Sequence, residues 1–172
     1  MHTYLPTSIL AIMAMGAIVG AFADIKTRRI PNLLTGVLAA IAIAVNIPNG
    51  IASIAITALV MMIVFLAGSF TYSLGWFGGG DVKLIAACCG FAGFPGSIEL
   101  LLYVFIAGGV VCFVESLRQK RLKNVLVGAY QSAIGIVPVS SVKVPYGVAI
   151  AAGSCIYALS TAPLLHFLRF PL

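Results

Sequence analysis

Residues 51 to 72, IASIAITALVMMIVFLAGSFTY, pass without one charged side chain. A helix of that length rises about 33 Å, enough to cross a hydrocarbon core of about 30 Å. No other feature constrains the fold so strongly, because backbone in lipid must satisfy its hydrogen bonds within the segment, and a helix does this. Comparable apolar runs lie near residues 5–23, 31–47, 82–95, 97–117 and 145–168. The whole composition agrees: 62% of the 172 residues are apolar and 8% charged, where a soluble domain carries about a quarter. The expected fold is all-α: one polytopic membrane domain spanning residues 1–172, with about six transmembrane helices.

Local chemistry supports the breaks between runs. Pro31 follows the basic stretch Lys26–Ile30 and suits the first turn of a second helix, where its missing N–H costs nothing. Asn46-Ile47-Pro48-Asn49-Gly50 reads as a tight turn. Phe94-Pro95-Gly96-Ser97 reads as another, with Ser97 as N-cap of the next helix and Glu99 in its first turn.

The positive charges set an orientation. Lys26, Arg28 and Arg29 follow the first run, Lys83 opens the fourth, and Arg118, Lys120, Arg121, Lys123 and Lys143 lie between the fifth and sixth. With six spans all these fall on one face. By the positive-inside rule that face is cytoplasmic, and both termini lie outside. The net charge of +6 is therefore read as topology and attraction to anionic lipid rather than nucleic-acid binding. The basic connection of about 118–144 is expected either to lie along the membrane surface or to form a flexible loop.

Two targeting and metal readings fall away. Ala21-Phe22-Ala23 resembles a signal-peptidase site, but the preceding segment has no Lys or Arg, and cleavage would leave Lys26, Arg28 and Arg29 on the translocated side. The cysteines, Cys88, Cys89, Cys112 and Cys155, sit in apolar runs without a C-x-x-C spacing and read as packing residues.

Asp24 and Asp81 are the only aspartates, and on this topology both stand at the cytoplasmic face. Each admits a structural explanation. Asp81 suits the N-cap of the fourth helix. Asp24, at the unfavourable end of the first helix dipole, could be compensated by Lys26 and Arg28. Ionisable groups at membrane depth are nonetheless costly and mark functional sites. Two carboxyls brought close cannot both ionise easily, so one keeps its proton while the other stays charged. Such a pair activates water: the carboxylate takes a proton as the water attacks a peptide carbonyl, and the carboxylic acid protonates the other side. Neither a metal nor an organic cofactor is needed. Gly78, Gly79 and Gly80, ahead of Asp81, either form a plain turn or let an extended substrate backbone approach closely.

Other chemistries fit less well. His2 and His166 are the only histidines and lie toward the opposite face, so neither a Ser-His-Asp site nor a histidine metal site forms beside the aspartates. Gly75-Trp76-Phe77-Gly78-Gly79-Gly80-Asp81 lacks the Lys-Ser/Thr ending of a P-loop. A small ion- or proton-coupled transporter using the two carboxylates, and a non-catalytic assembly scaffold, remain alternative readings.

Three elements in order carry a family resemblance: Asp24 followed by Ile-Lys-Thr-Arg-Arg-Ile-Pro-Asn, then Gly78-Gly79-Gly80-Asp81-Val82-Lys83-Leu84, and late in the chain Val144-Pro145-Tyr146-Gly147-Val148-Ala149-Ile150. Together they resemble the type IV prepilin peptidases, membrane aspartic proteases with a G-x-G-D motif. The resemblance implies that Asp24 and Asp81 are catalytic and that a basic leader is cut from prepilins at the cytoplasmic membrane face. It implies that Pro31, Asn32 and Lys83, with the glycines, line or position the site. Pro145, Tyr146 and Gly147 match the start of the last core helix, with no chemistry assigned. Larger members carry a zinc-binding cysteine insertion and methylate the mature pilin. That insertion is missing here, so neither methyl transfer nor S-adenosylmethionine binding is expected. The compact form most resembles the peptidases of tight-adherence, Flp-type pilus systems in the bacterial inner membrane, with small pilins and pilin-like proteins as substrates.

Overall fold

The computed structural model describes residues 7–75, 77–118 and 146–161. Among these residues the regular structure is entirely helical: α1 (Thr7–Thr27), α2 (Asn32–Ala44), α3 (Ile51–Ser73), α4 (Gly79–Arg118) and α5 (Tyr146–Thr161), with a 3-10 turn at Ile47–Asn49. Among the described residues four helices are long and apolar enough to cross a membrane: α1, α2 with its following turn, α3 and α4. Hydropathy suggested about six spans. The fourth and fifth runs are joined in α4 across a break at Gly93 and Phe94, which leaves them as two helical arms, and α5 covers residues 146–161 of the last run. The expected 118–144 connection lies, apart from Arg118, outside the described residues, as do residues 162–168 of the last run.

Helix α4 is one element with a break. Gly93 (φ 62°, ψ −171°) and Phe94 (φ −100°, ψ 132°) leave helical geometry, dividing it into a first arm, 79–92, and a second, 95–118. The reversal therefore begins at Gly93, whose positive φ suits a residue without Cβ. Ser97 does not cap the second arm as expected. Extended Phe94 takes the capping position, Pro95 follows as the first helical residue, where its fixed φ is pre-organised, and Ser97 is buried within the helix.

The first arm is the centre of the bundle. Val82, Leu84, Ala87, Cys88, Cys89 and Phe91 are each at most 3% exposed, so this arm is covered on almost every side. Val82 meets Gly68 of α3, Leu84 meets Gly20 of α1, and Gly90 meets Met61 of α3 and Ala42 of α2. The second arm runs antiparallel to α5: Gly108 lies against Tyr146, Val104 against Gly153, and Gly96 against Tyr157. Small residues let these backbones approach, the usual packing device where lipid removes any hydrophobic drive between helices. Outward, α3 presents Leu59, Met62, Ile63 and Leu66, all at least half exposed. Such a surface suits a helix solvated by lipid tails.

The turn after α2 forms as expected. Asn46 donates from Nδ2 to the Ala42 carbonyl and accepts from the Ser53 hydroxyl, each at 2.9 Å, and Gly50 takes φ 90°. Pro31, expected in the first turn of α2, stands one position earlier as its N-cap, with ψ 131°.

Candidate active site

Helix α1 does not stop at residue 23, as its apolar run suggested, but continues to Thr27. Arg28 then takes a left-handed conformation (φ 53°) and its N–H closes on the Asp24 carbonyl at 2.8 Å. Asp24 thus lies one turn inside the helix, 8% exposed, at the negative end of the α1 dipole. Its compensation comes from another helix. The N–H of Gly147, in the first turn of α5, donates to Asp24 Oδ2 at 3.0 Å, bringing the positive end of a second dipole to the carboxylate. A methyl group at Gly147 would lie 2.9 Å from Asp24 Cβ and 3.2 Å from Ala21 Cα, so only glycine lets the two helices meet this closely.

The structural alternative for Asp81 made it the N-cap of its helix. The structure puts Gly78 in that place: its carbonyl accepts from the Val82 N–H at 3.2 Å. Asp81 is the third residue of the helix, and its Oδ2 reaches back to accept from the Gly78 N–H, also at 3.2 Å. This is the carboxylate half of a capping box. The physical reason for the shift is that Gly79 and Gly80 already have helical geometry, which moves the cap upstream.

The two carboxyls face the same junction of α1, α4 and α5. Asp24 is bonded to the Gly147 N–H, the neighbouring Tyr146 ring meets Phe77, and Phe77 directly precedes the Gly78 whose N–H binds Asp81. An aromatic wall closes one side: Phe77 stands edge-on to Tyr146, with ring centroids 4.6 Å apart and planes at 79°, and is tilted against Phe105 at 6.4 Å. Chemically, the junction offers two carboxyls, each bonded to one backbone N–H, at the end of a bundle that also carries Lys26, Arg28 and Arg29.

The glycine run is occupied by the protein itself. A methyl at Gly78 would lie 2.7 Å from Asp81 Oδ2, and one at Gly80 would lie 3.0 Å from Ile30 Cβ and 3.4 Å from its backbone nitrogen. Gly80 thereby holds the α1–α2 connection against the start of α4, while Gly79 meets Tyr72 only at ordinary contact distance, 3.7 Å. Asn32 and Lys83 meet each other: the Lys83 ammonium donates to Asn32 Oδ1 at 2.8 Å. Two residues beyond Asp81, Lys83 stands about 200° round the helix from it, on the face turned away from Asp24.

Sequence reasoning passed over Tyr146, Gly147 and Phe77. The signal for the first two was present in Val144–Ile150, but nothing local shows that a backbone N–H there serves a carboxylate 123 positions earlier. Among the described residues no group of three or more His, Cys, Asp or Glu side chains is placed to hold a metal ion; His2 and His166 lie outside them.

A family model for the type IV leader peptidase family matches residues 11–113. The matched stretch contains Asp24, the Gly78–Asp81 turn and most of α4, and ends before α5. No curated protein and no solved structure matches the chain.

Proposed function

The chain belongs to the type IV leader peptidase family, and on that premise we propose that it is an aspartic endopeptidase that removes the basic leader from type IV prepilins of the small Flp kind, with Asp24 and Asp81 as its catalytic pair. One observation carries this reading: the only two aspartates in a chain poor in charge lie at one end of the bundle, Asp24 on the Gly147 N–H and Asp81 on the Gly78 N–H, with Tyr146 and Phe77 in contact between them.

In the reaction one carboxyl is ionised and the other protonated, since two like charges in a shared, partly desolvated site oppose each other. A water between them loses a proton to the carboxylate as its oxygen attacks the scissile carbonyl. The carboxylic acid donates to the carbonyl oxygen, and collapse of the tetrahedral species releases the leader, with a proton passed to the leaving amine. The backbone N–H groups of Gly147 and Gly78 hold the two carboxyls in place, so the protein supplies positioning as well as the acid and base.

The basic residues at the same end of the bundle, Lys26, Arg28 and Arg29, support a cytoplasmic site with both termini outside the inner membrane. The short α1–α2 connection, residues 28–31, supports a compact member without the zinc-binding insertion and its methyl transfer. No observation favours the transporter or scaffold readings.

The test is cleavage of a prepilin by the purified protein and by Asp24→Asn and Asp81→Asn, read as the mobility shift of the shortened pilin. Loss of processing in both variants, with each still folded in detergent, supports the pair. Normal processing by either variant removes that residue from the chemistry.

A further inference from the structure

Helices α2 and α3 and the first arm of α4 line a groove of about 400 Å³. That volume lies within the range of ligand-binding clefts. Ala86 and Ala87 of α4 form the floor, with Thr35 and Ala39 of α2 on one wall and Met61 and Phe65 of α3 on the other. The Thr35 hydroxyl is spent on the Asn32 carbonyl at 3.0 Å, so the lining is apolar in character. Further along the arm, beyond the groove, Met61 and Ala42 pack over Gly90.

The outer end differs. Lys83 and Asn32 both line the groove, and the ammonium's bonded partner is a neutral amide, so its charge is not cancelled there. With Asn32 Oδ1 accepting from the ammonium, most of what the pair has left to offer is N–H donors: those of the ammonium and those of the amide nitrogen. An apolar slot with a cationic, donor-rich mouth is complementary to an amphiphile with an anionic head. From Lys83 to Ala87 the slot runs about 6 Å along the helix axis, lined on its walls by α2 and α3.

The groove does not lead to the aspartates. At 100° per residue, Lys83, Ala86 and Ala87 stand between about 140° and 240° round α4 from Asp81, while Asp81 faces α1 and α5. A substrate helix running from the catalytic junction would lie on the other side of the first arm. We propose that this groove is a binding site for one anionic phospholipid, with an acyl chain between α2 and α3 and the phosphate held by Lys83 and Asn32. This stands apart from the peptidase reading and does not depend on it.

Native mass spectrometry of the full chain in detergent tests it, with phosphatidylglycerol and phosphatidylcholine of identical acyl chains as the probes. One phosphatidylglycerol is expected to be retained about fivefold more tightly than phosphatidylcholine, the usual gain from one basic residue at a membrane surface. Lys83→Gln removes that preference and Lys83→Arg keeps it. Gly36→Leu places a side chain on the groove wall at a position where a methyl meets nothing within 4 Å, so the fold tolerates it while retention of both lipids falls. Equal retention of the two lipids by the unaltered protein overturns the proposal, as does a preference that survives Lys83→Gln. Retention unchanged by Gly36→Leu also overturns it, since the head group would then be held without the groove. Cleavage is not the readout, so an inactive peptidase leaves the test standing.

Discussion

Gly147 donates its backbone N–H to the Asp24 carboxylate at 3.0 Å, joining residues 123 positions apart. The first turn of α5 is thereby part of the candidate site. Gly147→Ala would put a methyl 2.9 Å from Asp24 Cβ and 3.1 Å from its Oδ2, and either the carboxylate or the helix must yield. A displacement of about 1 Å at a reacting group costs about 10²-fold in rate. Kinetic assay of the variant is expected to show that loss in kcat with KM little changed.

Asp24→Asn and Asp81→Asn separate chemistry from support. The Asn carbonyl oxygen can still accept from Gly147 or Gly78, so each variant should stay within about 1 kcal/mol of the parent in stability. Acid–base function is lost, and cleavage should fall by at least about 10²-fold in each. Thermal melting by circular dichroism beside the cleavage assay checks both halves.

The three glycines ahead of Asp81 should not respond alike. Gly80→Ala drives a methyl against Ile30 and its backbone, and Gly78→Ala drives one against the Asp81 carboxyl. Both should slow cleavage by tenfold or more, through misplacement of the carboxyl. Gly79→Ala meets only Tyr72, at 3.7 Å, and should have the smallest effect of the three. A uniform response across the run would mean that substrate contact, rather than internal packing, selects these residues.

Gly153 tests the bundle away from the site. A methyl there would lie 2.6 Å from both the Cα and the nitrogen of Val104, and backbone cannot move aside as a side chain can. Gly153→Ala is expected to destabilise by about 1–3 kcal/mol, seen as a lower melting temperature. Gly109→Ala, with nothing within 4 Å, serves as its control.

Sequence made the membrane character and the two aspartates legible because both are matters of rarity: charge is scarce in lipid, so where it persists it stands out. The break between the fourth and fifth runs was legible in outline, yet Pro95 drew attention from Gly93, where the backbone turns. Asp24 was readable as oddly placed, at the wrong end of a dipole. Its resolution was not, because the compensating N–H belongs to a helix that no local pattern joins to α1. Lys83 was grouped with the catalytic motif by its neighbours in sequence, and helical geometry carries it to the other face, beside Asn32. What stayed hidden for Asp24 and Lys83 was a long-range partner, Gly147 and Asn32, the kind of information that propensity and periodicity do not hold.

The Asp24–Gly147 bond also sets an order of events during synthesis. Helix α1 emerges first, and more than a hundred further residues are made before its Asp24 can meet the Gly147 N–H. On the proposed reading the pair of carboxyls is therefore fully positioned only once α5 has docked. A half-inserted chain would carry both aspartates but lack that donor, and the mechanism proposed above would await the fold.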